Sequence, residues 1–123
     1  MGKGKILLYD TKKKFFKILK YAFKKDFVFD VYSDITDFEA LLDEYSSAVF
    51  VIYSESNLKE FMRVSQKGVP IIVCTSKQEI FEKLKDINEI FLYDCSKIKS
   101  EMVVELKNYF SFEQFVFHSI SIQ

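Results

Sequence analysis

Three side chains in this sequence are of the types that most often form zinc sites: Cys74, Cys95 and His118. Each cysteine ends an apolar run, and the pair lacks the spacing of zinc-ligand motifs. His118 is the only histidine, so four cysteine and histidine ligands cannot be assembled. We therefore predict no metal site, two free and mostly buried thiols in a cytoplasmic protein, and a structural role for the histidine.

The segment Asp10-Thr11-Lys12-Lys13-Lys14 carries the charge to attract an anion and follows a short apolar run. Proteins that bind flavin or nucleotide phosphates usually place a loop rich in glycine or hydroxyl residues there. This segment contains no glycine, so nothing in it cradles a phosphate. The sequence predicts no cofactor, and a small-ligand-binding domain of the flavodoxin-like kind stays open as an alternative.

Charge is segregated along the chain, although the formal net charge is zero. Residues 3–25 contain nine lysines and one acid, whereas residues 26–58 contain eight acids and no lysine or arginine. One interpretation is a basic helix that docks an acidic protein partner; the other is an ordinary solvated surface. The candidate residues are Lys13, Lys17, Lys20 and Lys24.

Two classes of partner are disfavoured by the same composition. A neutral chain with one arginine is a poor candidate for nucleic-acid binding. No apolar run approaches the roughly 20 residues that a membrane span needs. We therefore expect neither nucleic acid nor membrane as a partner.

Short apolar or β-branched runs alternate with longer amphipathic ones, which predicts five β/α units. Continuous apolar strands separated by helices indicate a parallel sheet covered on both faces. The expected fold is a flavodoxin-like, doubly wound α/β domain with strand order 2-1-3-4-5. The predicted strands are 5–10, 27–33, 48–53, 69–75 and 90–95. The first and last predicted helices are 11–25 and 98–110. Between them, the second helix starts at the capping box Thr36/Glu39, the third ends at Gly68, and the fourth is capped by Ser76.

Residues 111–123 do not fit this pattern and are interpreted as an extension of a domain that spans residues 1–110. Alternating apolar positions favour a sixth strand, while a capping box of Ser111 and Gln114 leaves a helix as the alternative. Such a strand could extend the sheet or pair with a second copy, with Phe115 and Phe117 at the contact of a homodimer. We expect no DNA-binding output domain on this chain.

Three segments, taken in order, resemble the receiver domains of bacterial response regulators over about residues 3–110. They are Lys5–Asp10 (KILLYD), Phe29–Leu41, and Val69–Ser76 (VPIIVCTS). The resemblance implies an acidic pair after the first strand and an aspartate ending the third, which together hold a divalent cation. It also implies that the third-strand aspartate accepts a phosphoryl group, assisted by a hydroxyl residue ending the fourth strand and a lysine ending the fifth.

Carried over to this sequence, most of that set is missing. Asp10 matches the first acid, but Thr11 stands where the second should be. Tyr53 stands at the phosphoacceptor position, which removes the nucleophile and a metal ligand. Glu55 could substitute for the missing third-strand aspartate only if the strand were bulged. Thr75 matches the hydroxyl residue that ends the fourth strand.

The lysine position falls at Ser96, and a shift of one residue would bring Lys97 there. The resemblance therefore predicts a non-phosphorylatable pseudo-receiver, not an enzyme, that acts in bacterial signalling by binding proteins. An atypical phosphoryl-accepting receiver that uses displaced acids, Asp10 or Glu55, is the alternative.

Overall fold

A parallel five-stranded sheet forms the centre of the computed structural model, which describes residues 4–87, 90–95 and 103–111. All four strand pairs are parallel, and the order across the sheet is 2-1-3-4-5. The predicted doubly wound α/β fold is confirmed. The strands are β1 (Gly4–Tyr9), β2 (Phe27–Tyr32), β3 (Ser47–Ile52), β4 (Ile71–Thr75) and β5 (Phe91–Asp94).

Helices connect the strands and cover both faces of the sheet. They are α1 (Lys14–Ala22), α2 (Ile35–Leu41), α3 (Glu55–Val64), α4 (Gln78–Leu84) and α5 (103–111), with short 3₁₀ turns at Leu42–Glu44 and Ser65–Lys67. No helix in the described ranges is both long and apolar enough to span a bilayer.

The alternation of side chains along each strand divides the core into two layers. Ile6 and Leu8 of β1 pack with buried residues of α1 and α5 on one face. Leu7 and Tyr9 pack with residues of α2, α3 and α4 on the other. Both layers are strongly aromatic. Ring contacts join three pairs of phenylalanines: Phe23 with Phe110, Phe38 with Phe50, and Phe50 with Phe61.

Three predicted helix starts are wrong, and in α1 and α2 a side chain outside the predicted cap accepts the early amides. α1 begins at Lys14, not Thr11, since the chain first turns through Lys13 in a left-handed conformation, φ 58°. Asp34, rather than Thr36, caps α2 by accepting hydrogen bonds from the amides of Thr36 and Asp37. The cap residue of α4 is Lys77, not Ser76.

Other local predictions are confirmed. The strand predicted at 27–33 is β2, which lies at the edge of the sheet with Phe27 and Phe29 buried and Val28 exposed. Gly68 follows the helical segment with φ 77°, a conformation that glycine adopts easily. Residues 112–123 lie outside the described residues, so the terminal strand and the boundary at residue 110 stay predictions.

Candidate functional site at the carboxyl ends of the strands

Asp10 lies at the carboxyl end of β1 and is completely buried. Its Oδ2 accepts a hydrogen bond from the Phe16 amide at 2.7 Å, and its Oδ1 accepts one from the Lys13 amide at 2.9 Å. Its Oδ1 also accepts the hydroxyl of Tyr53 at 2.5 Å. Both carboxylate oxygens are therefore committed to protein donors.

The turn after β1 explains why the Asp10 carboxylate faces inward. The Lys13 amide also donates to the Asp10 carbonyl at 3.1 Å, which closes a tight turn. Phe16 is the third residue of α1, so Asp10 satisfies an amide that has no partner inside the helix. A negative charge at this helix end is also stabilised by the helix dipole. Asp10 thus serves as the cap that fixes α1 to the sheet.

Tyr53 directly follows β3 and completes the contact between the first and third strands. Its amide donates to Oδ1 of Asn57 at 2.9 Å, which fixes the backbone. The ammonium of Lys12 lies 5.2 Å from the ring centroid, a cation–π distance. Burial and, next, the hydrogen bond to Asp10 raise the pKa of Tyr53 above its ordinary value. The hydroxyl therefore stays protonated and keeps donating to Asp10.

The residues present do not fit a magnesium ion of the kind that receivers hold. Mg²⁺ requires near-octahedral oxygen coordination and is usually bound through carboxylates. Here Asp10 is the buried carboxylate, its oxygens are occupied, and Thr11 and Tyr53 stand where the resemblance expects acids. Among the described residues, no group of three or more His, Cys, Asp or Glu side chains could hold a metal ion.

Thr75 ends β4 and is fully buried. Its hydroxyl donates to the Ile52 carbonyl at 2.9 Å and accepts the Lys77 amide at 3.2 Å. The hydroxyl thus ties β3 to β4 and supports the start of α4. It has the location that the resemblance implies, but both of its hydrogen-bonding functions are used by the scaffold.

Glu55 does not reach Asp10. It is the first residue of α3, its side chain is 55% exposed, and its Oε1 lies 2.7 Å from Nζ of Lys83. The strand before it is regular, so the bulge that would have brought it into the site is absent from β3. Ser96 and Lys97 lie outside the described residues.

A second buried tyrosine contact, which the sequence did not indicate, lies on the opposite layer. The Tyr9 hydroxyl donates to Oε1 of Glu60 at 2.8 Å, and Nδ2 of Asn57 donates to the same oxygen at 3.1 Å. Asn57 also donates its amide to the Ser54 hydroxyl, which caps α3. The Ser54/Asn57 spacing is a signal for the α3 cap alone, while the contacts of Glu60 and Asn57 tie α3 to β1 and β3.

The exposed surface of α1 combines lysines with apolar side chains. Tyr21 is 78% exposed and Ile18 is 38% exposed. The ammonium of Lys24 lies 5.4 Å from the ring centroid of Tyr21. Lys13, Lys17, Lys20 and Lys24, the residues of the predicted surface, are all exposed; Phe115 and Phe117 lie outside the described residues.

Comparison with known proteins identifies the architecture. No known family profile matches the sequence, and no curated protein sequence matches it either. A CheY-like receiver domain protein from Methanospirillum hungatei JF-1 superposes with a TM-score of 0.62 at 10% identity, over 92% of this chain and 98% of that one. The chain has the receiver-domain fold.

Two further solved structures of receiver proteins share this architecture. Chemotaxis protein CheY4 of Vibrio cholerae gives a TM-score of 0.60 at 12% identity, over 88% of this chain and 98% of that one. The receiver domain of the Francisella response regulator 1452 gives 0.57 at 18% identity, over 88% and 97%. At these identities the likeness is one of fold, so the chemistry of this chain has to be argued from its own residues.

Proposed function

We propose that this chain is a pseudo-receiver: a receiver-fold module of bacterial two-component signalling that binds proteins and does not accept a phosphoryl group. The observation that carries the proposal is the Tyr53–Asp10 hydrogen bond. It commits the buried acid of the site to a residue that stands where a receiver would carry its phosphoacceptor.

Phosphoryl transfer to a receiver needs a free carboxylate nucleophile and a divalent cation that neutralises the incoming group. Tyr53 supplies no carboxylate, and its raised pKa makes its hydroxyl a weak nucleophile. Asp10 would have to give up hydrogen bonds from the amide of Phe16 and the hydroxyl of Tyr53 to bind a cation. Both requirements therefore disfavour phosphorylation and the enzyme alternative that depends on phosphoryl transfer.

The fixed position of Thr75 supports the same proposal. A hydroxyl that responds to a phosphoryl group must be able to move toward it. The Thr75 hydroxyl instead bridges the Ile52 carbonyl and the Lys77 amide inside the core. A module built in this way would signal through the surfaces it presents, without a change at the strand ends.

The surface that we assign to the protein partner is the exposed face of α1. Tyr21 and Ile18 are apolar anchors surrounded by lysines, and interfaces commonly combine a central aromatic anchor with a charged rim. The lysines favour an acidic partner. A homodimer through residues 111–123 is a second proposed contact of this cytoplasmic module.

Beryllofluoride, a phosphoryl analogue, tests the proposed loss of phosphorylation. We expect no selective ¹⁵N chemical-shift changes at Asp10, Glu55 or Thr75 when it is added with Mg²⁺. The matched variant Thr11→Asp/Tyr53→Asp adds the two missing carboxylates, so it should gain magnesium-dependent shifts at these positions. Selective, saturable shifts in the unmodified chain would contradict the proposal.

The α1 surface is tested with a synthetic helical peptide of glutamate, leucine and phenylalanine. We expect its binding, followed by NMR, to map to α1, to weaken with salt, and to fall in Ile18→Ser/Tyr21→Ser. Val104→Ser is the control, because Val104, on α5, is 56% exposed, a value between those of Ile18 and Tyr21. Equal loss in the control variant, or shifts away from α1, would refute the assignment of this surface.

A further inference from the structure

A small cleft opens beside Tyr53, between α1 and the carboxyl ends of three strands. Its volume is about 160 Å³, and it is lined by Lys14, Phe15, Ile18, Val51, Ile52, Tyr53, Ser76 and Cys95. The strand order reverses between β1 and β3, and Tyr53 follows β3. Ligands of doubly wound sheets bind at the carboxyl ends beside this reversal. The cleft therefore has the position of a ligand site in this architecture.

The walls of the cleft are mostly apolar, with a few polar groups at defined places. Phe15, Ile18 and Val51 contribute hydrocarbon, while Lys14 contributes an ammonium and Ser76 a hydroxyl. Both of these polar residues are exposed, so they lie toward solvent. An apolar pocket with a small number of convergent polar groups is the usual composition of a small-molecule site.

The size of the cleft limits the class of ligand. A protein cavity of roughly 150 Å³ holds one benzene molecule. A cleft of about 160 Å³ accordingly accommodates a single ring and is too small to enclose a flavin or a nucleotide. This separates it from the flavodoxin-like alternative raised by the sequence.

The charge of the cleft further defines the ligand. None of the ion pairs among the described residues involves Lys14, so its ammonium remains available to an anion. The nearby Asp10 carboxylate is buried and accepts hydrogen bonds from the Tyr53 hydroxyl and two amides, so Lys14 is the charged group in the lining of the cleft. We infer that the cleft binds a small monocyclic aromatic carboxylate, with the ring between α1 and β3 and the carboxylate at Lys14 and Ser76.

This site goes beyond the proposed protein-binding role, since it requires neither a partner nor phosphorylation. It would give the module a small-molecule input at the sheet edge where receivers take up their phosphoryl group. The two proposals share Ile18 but can fail separately, because the docking surface also requires Tyr21, which lies outside the cleft lining, whereas the cleft requires Lys14 and Ser76.

The two cysteines provide a direct measurement of occupancy. Cys95 lines the cleft and is partly exposed, whereas Cys74 is completely buried. In the folded protein, alkylation by iodoacetamide should therefore occur at Cys95 and can be followed by mass spectrometry. We expect sodium benzoate to slow it, by roughly tenfold at ten times its dissociation constant, because the bound ring covers the thiol.

Two controls test whether Lys14 recognises the carboxylate: an uncharged ligand and a lysine variant outside the cleft. Benzamide, which has the ring without the charge, should protect Cys95 much less than benzoate at equal concentration. Lys14→Gln should remove this difference, whereas Lys17→Gln, on the same helix but outside the lining, should preserve it. In ¹⁵N spectra, benzoate should shift the amides of Phe15 and Ser76.

Four results would overturn the inference. Alkylation that is unaffected by benzoate at concentrations up to its solubility would exclude the site. Equal protection by benzamide, or equal loss in Lys14→Gln and Lys17→Gln, would exclude recognition of a carboxylate by Lys14. Protection without shifts at Phe15 and Ser76 would place the ligand elsewhere.

Discussion

Oη of Tyr53 lies 2.5 Å from Oδ1 of Asp10, so the third strand is joined to the first by a hydrogen bond to a buried carboxylate. The same carboxylate holds the Phe16 amide in the first turn of α1. One side chain therefore connects two strands and a helix at the edge where a receiver carries out its chemistry. A group with this structural role should contribute to stability whether or not it binds a ligand.

Tyr53→Phe should lower the free energy of unfolding by about 1–2 kcal/mol, because a hydrogen bond to a charged acceptor is lost. Urea denaturation measures the change. Tyr32→Phe, for which no hydroxyl hydrogen bond is seen among the described residues, is the control and should change stability by less than about 0.5 kcal/mol. In a double-mutant cycle with Asp10→Asn, the two changes should be non-additive. Additive effects would mean that the hydrogen bond contributes nothing.

Thr75→Val should destabilise the protein by about 1–3 kcal/mol, since it leaves the Ile52 carbonyl and the Lys77 amide without their partner. Thr75→Ser keeps the hydroxyl and loses a buried methyl, at a cost of about 1 kcal/mol. Hydrogen exchange at the Lys77 amide distinguishes the two variants. It should accelerate in the valine variant and stay slow in the serine variant; equal exchange would show that the hydroxyl does not support this amide.

The strand order could be predicted from sequence because every central strand is a short apolar run that only a doubly covered parallel sheet can bury. Helix starts could not be predicted reliably, since the Phe16 amide is satisfied by Asp10, six residues earlier in the chain. Local capping rules consider the residues adjacent to the helix, and they assigned this role to Thr11.

The candidate site was predictable only in part, for a related reason. Asp10, Tyr53 and Thr75 were identified by their position at strand ends, which sequence order reveals. The hydrogen bond from the Tyr53 hydroxyl to Asp10 depends on the register of β1 and β3, which is a property of the folded sheet. The contact between Tyr9 and Glu60 joins residues 51 positions apart, and no local sequence pattern indicates it.

Glu55→Gln should have little effect on stability, because the ion pair with Lys83 is exposed on both sides. Exposed pairs contribute about 0.2–1 kcal/mol. A double-mutant cycle with Lys83→Gln should give a coupling in this range that largely disappears at high salt. A larger coupling, or one that changes with millimolar Mg²⁺, would revive the alternative in which Glu55 is a displaced metal ligand.

Stability should fall steeply at alkaline pH. Burial first, and then hydrogen bonds to Glu60, Asp30 and Asp10, raise the pKa values of Tyr9, Tyr45 and Tyr53 above the unfolded value of 10.0. The native state therefore keeps these protons while the unfolded state loses them. The stabilisation is complete below pH 10 and is lost as the pH rises toward the folded pKa values.

Each such tyrosine should contribute a slope of up to about 1.4 kcal/mol per pH unit above pH 10. Denaturation between pH 9 and 11 measures this slope. Replacing Tyr9 and Tyr45 with phenylalanine should make it shallower, whereas Tyr21→Phe, at an exposed ring, serves as the control. An unchanged slope would mean that these hydroxyls titrate alike in the folded and unfolded states.

A chain ending at Ser111, the last helical residue described, should fold cooperatively. Phe110 and Leu106 of α5 are buried against α1 and the sheet, so the truncation keeps the whole described core. Thermal unfolding by circular dichroism tests this expectation. Loss of a cooperative transition would contradict the predicted boundary at residue 110.

The same truncation tests the proposed homodimer. Sedimentation equilibrium at several concentrations should give a dimer for the full chain and a monomer for the shortened one, if Phe115 and Phe117 form the contact. Phe115→Ser/Phe117→Ser in the full chain should have the same effect as the truncation. If the truncated chain stays dimeric, the interface lies on another surface, such as the one around the exposed Phe91 of the edge strand β5. A full chain that is monomeric throughout would remove the homodimer from the proposal and leave α1 as the docking surface.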